Sequence, residues 1–551
     1  MLPLILLALA QVPASAPVHQ PDDARLAAAR AHLDSLPLRP ALRERLDPLL
    51  NPRFAEFQHA VFRGELLFSI RTDPPRSTQR VVVLKTHIDP AREKAILDLS
   101  RLHAPRTVQW ISPSHDGRMV AICLLGPDGQ SLTIHETDTG IARGLPIIGP
   151  LGHGLAWNLD SDGFHYVRQA PNQPPAIFFH PLGGHPNDDE PQPGAVFPAG
   201  ASVSIDSAPT GDVLASTSDF PLTAWFLRPG GQWVQSAAPD NQISRITFGR
   251  GEALFFITRR GAPLGRVAFS AIESPIFRNA EFLTRPADAE LLDLLRTQDH
   301  VLVLERRNHA DGLRLLDLHA QDLGYVGLPQ GSLISALVPI GDEGVLIRHE
   351  SLLTPRRWSL LTPSTPVPER SPLWGLRVDA PANAEIVSLR AADLPVTVLR
   401  TSDTPPGPCV LVLGHDGSPR FDPARTALLE RRIAVALAPR VASADAIDAI
   451  SRQLVADGIA APDRIALLDL GGSARPAIDA LRKRLVAAAV VAALGDGPAP
   501  ATPDGPLLLT DPADPAGRAL ASERILLAAP RNPIDDHADR FAFLLNAIAP
   551  R

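Results

Sequence analysis

The sequence is short of cysteine and of lysine, and its charge balance excludes one class of partner. The two cysteines, Cys123 and Cys409, lie far apart in apolar runs, so we expect buried free thiols rather than a disulfide or a metal site. Only Lys85, Lys94 and Lys483 are lysines among 53 basic residues. The net charge of -7, with no long basic run, argues against a nucleic-acid partner.

Long apolar runs are also missing, so we expect no membrane span. The first residues, MLPLILLALAQVPASA, form an apolar core too short to cross a bilayer, followed by Ala14-Ser15-Ala16. This pattern predicts an export signal over residues 1–16 and a periplasmic or secreted protein. No lysine or arginine precedes the core, and a misassigned start or a cytosolic apolar tail is the alternative.

A chain of 551 residues is too long to fold around one ordinary hydrophobic core, so we expect several domains. Two helical segments, DDARLAAARAHL and RPALRERLDPLL, lie within residues 17–55. Short apolar runs that each follow a turn then recur every 40 to 53 residues. Their markers are Gly64, Gly117, Gly163, Gly211, Gly251, Asp299 and Gly344. This period predicts a seven-bladed β-propeller over residues 56–375, whereas an irregular β-sandwich would not need it.

From residue 376 onward, apolar strands alternate with helices. The strands are CVLVLGH, RIAVALAP, RIALLDL, LVAAAVVAALG, PLLLTD and RILLAAP, and HADRFAFLLNAI is the last helix. Such alternation predicts a mostly parallel sheet covered on both faces, over residues 376–551.

One turn in this second region has the pattern of a nucleophile elbow. Ser473 follows the strand RIALLDL and the pair Gly471-Gly472, and precedes a helical stretch. In an elbow the serine occupies strained backbone between strand and helix, so its neighbours must be small. Arg475 stands where a second glycine is expected, and we expect its side chain to crowd the turn.

A seven-bladed propeller ahead of an α/β-hydrolase domain with a G-x-S elbow resembles the prolyl oligopeptidase family. The likeness covers nearly the whole chain after residue 16. NPRFAEFQHAVFRGELLFSIRTDPPRSTQRVVVL resembles the entry into the first blade, and RHESLLTPRRWSLLTP the exit from the last. The resemblance implies that the N-terminal helices pack on the hydrolase domain. It also implies a serine-protease triad and short peptides bound in a cavity between propeller and hydrolase domain.

By this resemblance Ser473 is the nucleophile, Asp514 the acid and His537 the base, with Asp511 as an alternative acid. The family carries its base on a glycine-flanked loop, but here the connection is RNPIDDH and His537 falls in the first turn of the last helix. An exposed histidine at a helix N-terminus, without catalytic role, is the competing interpretation.

The resemblance assigns oxyanion binding to the N–H of Ala474 and to the position of His415, where the family has a tyrosine. Residues 376–551 contain no tyrosine and no tryptophan, although the family stacks the substrate proline on a tryptophan.

Two functional hypotheses follow. In the first, the protein is a catalytically impaired homologue that binds peptide or protein. In the second, it is an active serine hydrolase that cleaves short peptides or esters through Ser473, Asp514 and His537. A structural propeller without ligand is the remaining alternative. We expect neither a cofactor nor a metal, and the sequence leaves the ligand and the oligomeric state open.

Overall fold

The computed structural model forms two compact units. It describes residues 23–51, 54–74, 78–84, 93–250, 253–342, 344–362, 365–371, 373, 379–391, 393–469, 471, 474–491, 507–509, 525–527 and 533–548. One unit, the propeller unit, comprises the described parts of 48–386 and 417–426. The other, the α/β unit, comprises those of 1–47, 387–416 and 427–551. The predicted domain bounds stay a prediction.

The propeller unit contains seven four-stranded antiparallel sheets. Blade 1 consists of β1 (Glu56–Arg63), β2 (Leu66–Asp73), β3 (Thr78–Leu84) and β4 (Glu93–Asp98). Blade 2 consists of β5 (Thr107–Pro113), β6 (Met119–Gly126), β7 (Gly129–Glu136) and β8 (Ala142–Ile148). Blade 3 consists of β9 (Ala156–Trp157), β10 (Gly163–Arg168), β11 (Ala176–Pro181) and β12 (Glu190–Pro191). Blade 4 consists of β13 (Val203–Ser207), β14 (Val213–Thr217), β15 (Ala224–Leu227) and β16 (Val234–Ala237).

Three further blades complete the series. Blade 5 consists of β17 (Ile243–Gly249), β18 (Ala253–Thr258), β19 (Arg266–Ala271) and β20 (Glu281–Phe282). Blade 6 consists of β21 (Glu290–Arg296), β22 (His300–Arg307), β23 (Ala310–Asp317) and β24 (Asp322–Tyr325). Blade 7 consists of β25 (Leu333–Ile340), β26 (Gly344–Glu350), β27 (Arg357–Thr362) and β28 (Thr365–Arg370). The prediction of seven blades is confirmed.

The markers that predicted the blades lie where the first strand of a blade turns into the second. Gly64, Gly117 and Gly211 have positive φ angles of 55°, 71° and 81°. Gly163 and Gly344 begin second strands, and Asp299 directly precedes one, whereas Gly251 lies outside the described residues. A Cβ on Gly64 would lie 2.4 Å from the carbonyl oxygen of Asp116 in the next blade. Close approach of neighbouring turns therefore requires glycine there.

The ring closes by side-chain packing between blades 7 and 1. Each blade is one continuous segment of chain, so no strand is shared across this junction. An apolar cluster nonetheless joins Phe57 and Leu67 of blade 1 to Leu346 and Trp358 of blade 7. The buried indole Nε1 of Trp358 donates to the carbonyl oxygen of Phe57 at 2.9 Å. Apolar packing and a buried hydrogen bond thus join blades 7 and 1, which a strand shared between them would otherwise do.

The α/β unit is built on an eight-stranded sheet with the order β29-β30-β32-β31-β33-β34-β35-β36. Its strands are β29 (Ala384–Ala391), β30 (Leu394–Thr401), β31 (Gly407–Leu413), β32 (Ala434–Ala438), β33 (Ala460–Asp469), β34 (Ala488–Val491), β35 (Leu507–Leu509) and β36 (Ile525–Leu527). Strand β30 runs antiparallel to β32, and the strands from β31 to β36 run parallel to one another.

The described residues form six α-helices. They are α1 (Asp23–Ser35), α2 (Arg39–Leu50), α3 (Pro423–Leu429), α4 (Ala444–Ala456), α5 (Ala474–Arg482) and α6 (Pro533–Ile548). Of these, α1, α4, α5 and α6 pack on the sheet, as its apolar strands require. Helices α4 and α5 bury Ile447, Ile450 and Ile478 in one core with the sheet. Helix α6 packs against β31, β33 and β34, and α1 packs against α6.

Candidate active site

The carboxyl ends of the parallel strands form a row at one edge of the sheet. Leu413, Asp469, Val491, Leu509 and Leu527 are paired in register across β31, β33, β34, β35 and β36. Neighbouring strands are about 4.8 Å apart, so the row spans roughly 20 Å. The connections that carry His415, Ser473 and Asp514, and the one leading to His537, all begin at this row. Ligands of open α/β sheets bind at such an edge.

The elbow prediction lies between described elements. Strand β33 ends at Asp469 and helix α5 begins at Ala474, so Ser473 occupies the connection. Gly471 has a φ of 137°, and its N–H donates to Oδ1 of the buried Asp469 at 3.2 Å. Ser473 lies outside the described residues, and its catalytic role stays a prediction. Ala474 is the first residue of α5, and the first N–H groups of a helix lack partners within that helix.

Arg475 is the second residue of α5, where the glycine pattern of an elbow would place a glycine. Its side chain is exposed, whereas Ala477 and Ile478 further along α5 are buried. The phase of the helix turns Arg475 outward and the two apolar residues inward. The expectation that Arg475 crowds the turn stays a prediction, because Gly472 and Ser473 lie outside the described residues.

His537 belongs to helix α6 rather than to a loop. The helix begins at Pro533, four residues before the predicted start, and His537 is its fifth residue, not part of its first turn. Proline suits the first helical position, and Asp535 and Asp536 favour the positive end of the helix dipole. The imidazole is half-buried and its ring centre lies 5.7 Å from that of Phe541, one turn later.

Arginines from the N-terminal helix α2 hold this end of α6. Arg39 donates through Nε to Oδ1 of the buried Asp539 at 2.6 Å, and Arg43 donates to Asp535 at 2.7 Å. Burial opposes the charge of Arg39, but its hydrogen bond to Asp539 and the surrounding carboxylates outweigh that effect and raise its pKa. The ion pairs of Arg39 and Arg43 with α6 were not predicted from the sequence, although Asp535 and Asp539 stand one helical turn apart. His537 therefore lies on a helix held by a largely buried ion pair to Asp539 and a more exposed one to Asp535.

His415 follows strand β31 directly. Gly414 has a φ of 85°, and the backbone N–H of His415 donates to the carbonyl oxygen of Ala438 at 3.0 Å. This bond ties the turn to the end of β32, while β31 neighbours β33 on its other side. His415 therefore begins its loop one strand away from the elbow. Its imidazole is half-buried, and its role toward an oxyanion stays a prediction.

Asp514 and its alternative Asp511 follow β35 and lie outside the described residues. Strand β35 is two strands from β33, or about 10 Å at the usual strand spacing. The chain order serine, acid, histidine thus follows the sheet order β33, β35, β36.

The described residues also bear on the predictions for thiols, metal-binding groups and membrane-spanning helices. Cys123 and Cys409 are buried free thiols, as predicted, and burial raises the pKa of each to about 12. No group of three metal-binding side chains lies together in the part of the chain that the structure describes. Over the same residues, none of the helices combines the length and apolarity needed to traverse a bilayer.

The architecture can now be compared with known proteins. A solved prolyl endopeptidase, one of two studied for inter-domain dynamics in catalysis and specificity, gives a TM-score of 0.80 at 20% identity, covering 96% of this chain and 92% of that one. Apo prolyl oligopeptidase B from Galerina marginata gives 0.79 at 13%, covering 95% and 93%. Oligopeptidase B from Leishmania major gives 0.65 at 13%, covering 95% and 91%. No curated protein matches the chain by sequence.

These likenesses define a propeller protein with the fold of these peptidases. The family model for the N-terminal β-propeller domain of prolyl oligopeptidase matches residues 27–367, more than half of the chain. The chain therefore belongs to the prolyl oligopeptidase family of serine peptidases.

Proposed function

We propose that this protein binds short peptides and that its serine peptidase activity is impaired. The observation that carries the proposal is the position of His537 inside α6, on a helix held by Arg39 and Arg43. A triad serine needs an imidazole within hydrogen-bond reach to take its proton. A base on an anchored helix lacks the freedom of one on a loop to move toward Ser473.

The composition of the α/β unit supports the same conclusion. Residues 376–551 contain no tyrosine to bind the oxyanion and no tryptophan to stack on a substrate proline. The resemblance to the family implies a tyrosine and a tryptophan in these two roles, and both side chains would contact bound substrate. Their loss lowers turnover even where the serine is intact, because oxyanion stabilisation is a large part of acyl-transfer catalysis.

Peptide binding is the part of the function that we expect to persist. The Galerina marginata enzyme has been solved with 25mer and 35mer substrates bound. We extend the class of ligand, a peptide, to this chain because the propeller and the sheet are both retained. The cavity between propeller and hydrolase domain, expected from the sequence, stays a prediction.

An active serine hydrolase is the second candidate, and two observations favour it. The connections after β33 and β35 and the one that leads to α6 leave the same edge of the sheet, in the order of a Ser-Asp-His triad. Arg475, which stands at the missing elbow glycine, is exposed and does not belong to the core of the unit. For both reasons we assign the sheet to the α/β-hydrolase fold in either case.

Labelling with a fluorophosphonate probe separates the two candidates. We expect native protein and Ser473→Ala to label equally weakly, since an unactivated hydroxyl reacts slowly. A proline-containing octapeptide should bind both forms with the same affinity, measured by fluorescence anisotropy. Strong labelling that Ser473→Ala abolishes, together with cleavage of the octapeptide, would establish the hydrolase instead. Loss of peptide binding in both forms would refute the binding proposal.

We also propose export with removal of residues 1–16, which lie outside the described residues. The apolar core and Ala14-Ser15-Ala16 support it. Mass spectrometry of protein expressed with its native start should find Pro17 as the first residue, and an intact Met1 in the cytosolic fraction would contradict it.

A further inference from the structure

A wedge-shaped cavity opens between blades 3 and 4 of the propeller unit. Its volume is about 770 Å³, within the range of small-molecule sites. This wedge is lined chiefly by Leu159, His165, Phe179, Leu227, Arg228 and Trp233. The apolar core between the two blades is complete further in, and Leu227 and Trp233 are only partly buried at its edge. The wedge therefore lies at the edge of the apolar core that the two blades share.

Glycines keep the wedge open and hold its aromatic wall. Gly194 has a φ of 116°, and a Cβ there would lie 3.1 Å from Cβ of Trp233. Gly211 has a φ of 81°, and a Cβ there would lie 2.9 Å from Leu159. Both positions favour glycine by backbone angle and by space. The backbone therefore approaches Trp233 and Leu159 more closely than any other residue would allow.

His165 is the polar group that lies between the aromatic rings of the wedge. Its ring centre lies 5.0 Å from that of Phe179 and 6.3 Å from that of Trp233, at 88° to the indole. Nδ1 is buried, and neither ring nitrogen has a hydrogen-bond partner among the described residues. Burial lowers the pKa of His165 to about 4, so the imidazole is neutral at pH 7. A neutral imidazole offers one donor and one acceptor.

The charges at the rim disfavour an ionic ligand. The Arg228 guanidinium stands 3.8 Å from Asp212 and 3.6 Å from Glu273, distances of loose ion pairs. Asp160 adds an exposed carboxylate. Arg228 and Asp160 are the charged residues of the lining and have opposite signs, so the lining has no net charge to attract an ionic ligand. Asn158, Gln192 and Gln232 add neutral polar groups, so the aromatic walls and the imidazole form part of a lining suited to an uncharged ligand.

We propose that the wedge binds an aromatic side chain of a neutral peptide segment, with the ring against Trp233 and Phe179 and the backbone amide hydrogen-bonded to His165. Burial of an aromatic ring supplies the affinity, and an amide group satisfies the imidazole. The site lies wholly within the propeller unit and does not depend on Ser473.

Fluorine NMR of the full chain labelled with 5-fluorotryptophan tests the proposal directly. The sequence has six tryptophans, and Trp233→Phe identifies the resonance of Trp233. Titration with N-acetyl-phenylalaninamide should shift that resonance saturably, with a dissociation constant on the order of 1 mM for so small a ligand. Trp225 is the matched control, because its Nε1 donates to the carbonyl oxygen of Val196 at 3.0 Å and it lies outside the wedge.

Two comparisons make the result specific. N-acetyl-leucinamide, which keeps the amides and lacks the ring, should shift Trp233 at least several-fold less at equal concentration. His165→Phe, which keeps a ring beside Phe179, should weaken binding about fivefold, whereas the exposed His103→Phe should not. The proposal is overturned if Trp233 does not shift up to about ten times the expected dissociation constant. Equal shifts with both amides, or unchanged affinity in His165→Phe, would also overturn it.

Discussion

Arg39 carries more of the stability of the α/β unit than a surface arginine would. Its side chain is 11% exposed, and it contacts Asp34, Asp535 and Asp539 at once. Arg43 shares Asp535 but is 56% exposed. Exposed ion pairs contribute little because water and salt screen them, whereas removal of one member of a buried pair leaves a charge in a poor solvent.

We therefore predict that Arg39→Met lowers the free energy of unfolding by roughly 3–5 kcal/mol and that Arg43→Met lowers it by less than about 1 kcal/mol. Urea denaturation measures the change in the free energy of unfolding for both variants, and hydrogen exchange shows whether the change is located in α6. Equal effects of the two substitutions would show that the Asp539 contact contributes nothing beyond a surface pair.

His349 makes the propeller unit sensitive to acid. It is buried, its Nε2 lies 2.9 Å from Oγ of Ser359, and burial, with Arg357 nearby, lowers its pKa to about 4. In the unfolded chain a histidine takes up its proton near pH 6.5. Between pH 6.5 and about 4 the unfolded state therefore binds more protons, and stability falls as the pH falls.

The predicted loss in the free energy of unfolding that His349 causes reaches roughly 3 kcal/mol as the pH falls to about 4. His349→Gln keeps a hydrogen-bonding group for Ser359 and removes the titration. Its melting temperature should therefore fall less between pH 6.5 and pH 4 than that of the native protein, in a series measured by calorimetry. The exposed His103→Gln should behave like the native protein. Parallel curves for all three would contradict the assignment.

Among the secondary-structure elements, the junction between blades 7 and 1 replaces a shared strand with side-chain contacts. Trp358 fills the junction, donates to Phe57, and lies on the same sheet as Arg348, which pairs with Glu56. Trp225 also donates its indole N–H to a backbone carbonyl, but it is half-buried between blades 3 and 4. The two tryptophans thus allow a matched comparison of closure with ordinary blade packing.

We predict that Trp358→Leu lowers the free energy of unfolding by about 3–4 kcal/mol, because it opens a cavity and leaves the Phe57 carbonyl without its donor. Hydrogen exchange should accelerate in blades 1 and 7 and much less in blade 4. Trp225→Leu should leave blades 1 and 7 unchanged. Acceleration spread evenly over all blades in Trp358→Leu would mean that the ring unfolds as one unit and has no weaker junction.

The elements that the sequence predicted well are those with a local signal. A turn residue before an apolar run, glycine in six blades and Asp299 in the other, occurs once per blade, so seven blades could be counted before any contact was known. Strands β29 and β30 were missed, because they pair as neighbours at the sheet's edge and β29 is only partly buried. The exposure of Arg475 could not be predicted either, since it depends on the helical phase of α5 rather than on residue type.

At the scale of the whole chain, catalysis requires groups from distant segments to meet. Ser473, Asp514 and His537 span 65 residues, and the sequence order already matched the sheet order that the structure reports. Sequence alone could not give the start of α6 or the arginines of α2 that hold it. Those contacts are between segments about 500 residues apart, as in the bond from Arg39 to Asp539.

The sharpest test of catalysis is therefore the histidine rather than the serine. A working general base contributes about 10²–10⁴-fold, so its removal is unmistakable where it operates. Because α6 is anchored, we predict that His537→Ala changes kcat/KM for an activated ester and for a proline peptide by less than about twofold. His415→Ala is the matched control from the same edge of the sheet, and circular dichroism checks that loss of the Phe541 contact leaves α6 folded. A loss of about 10²-fold or more in His537→Ala alone would show that substrate draws the histidine into reach, and the protein would then be an active hydrolase.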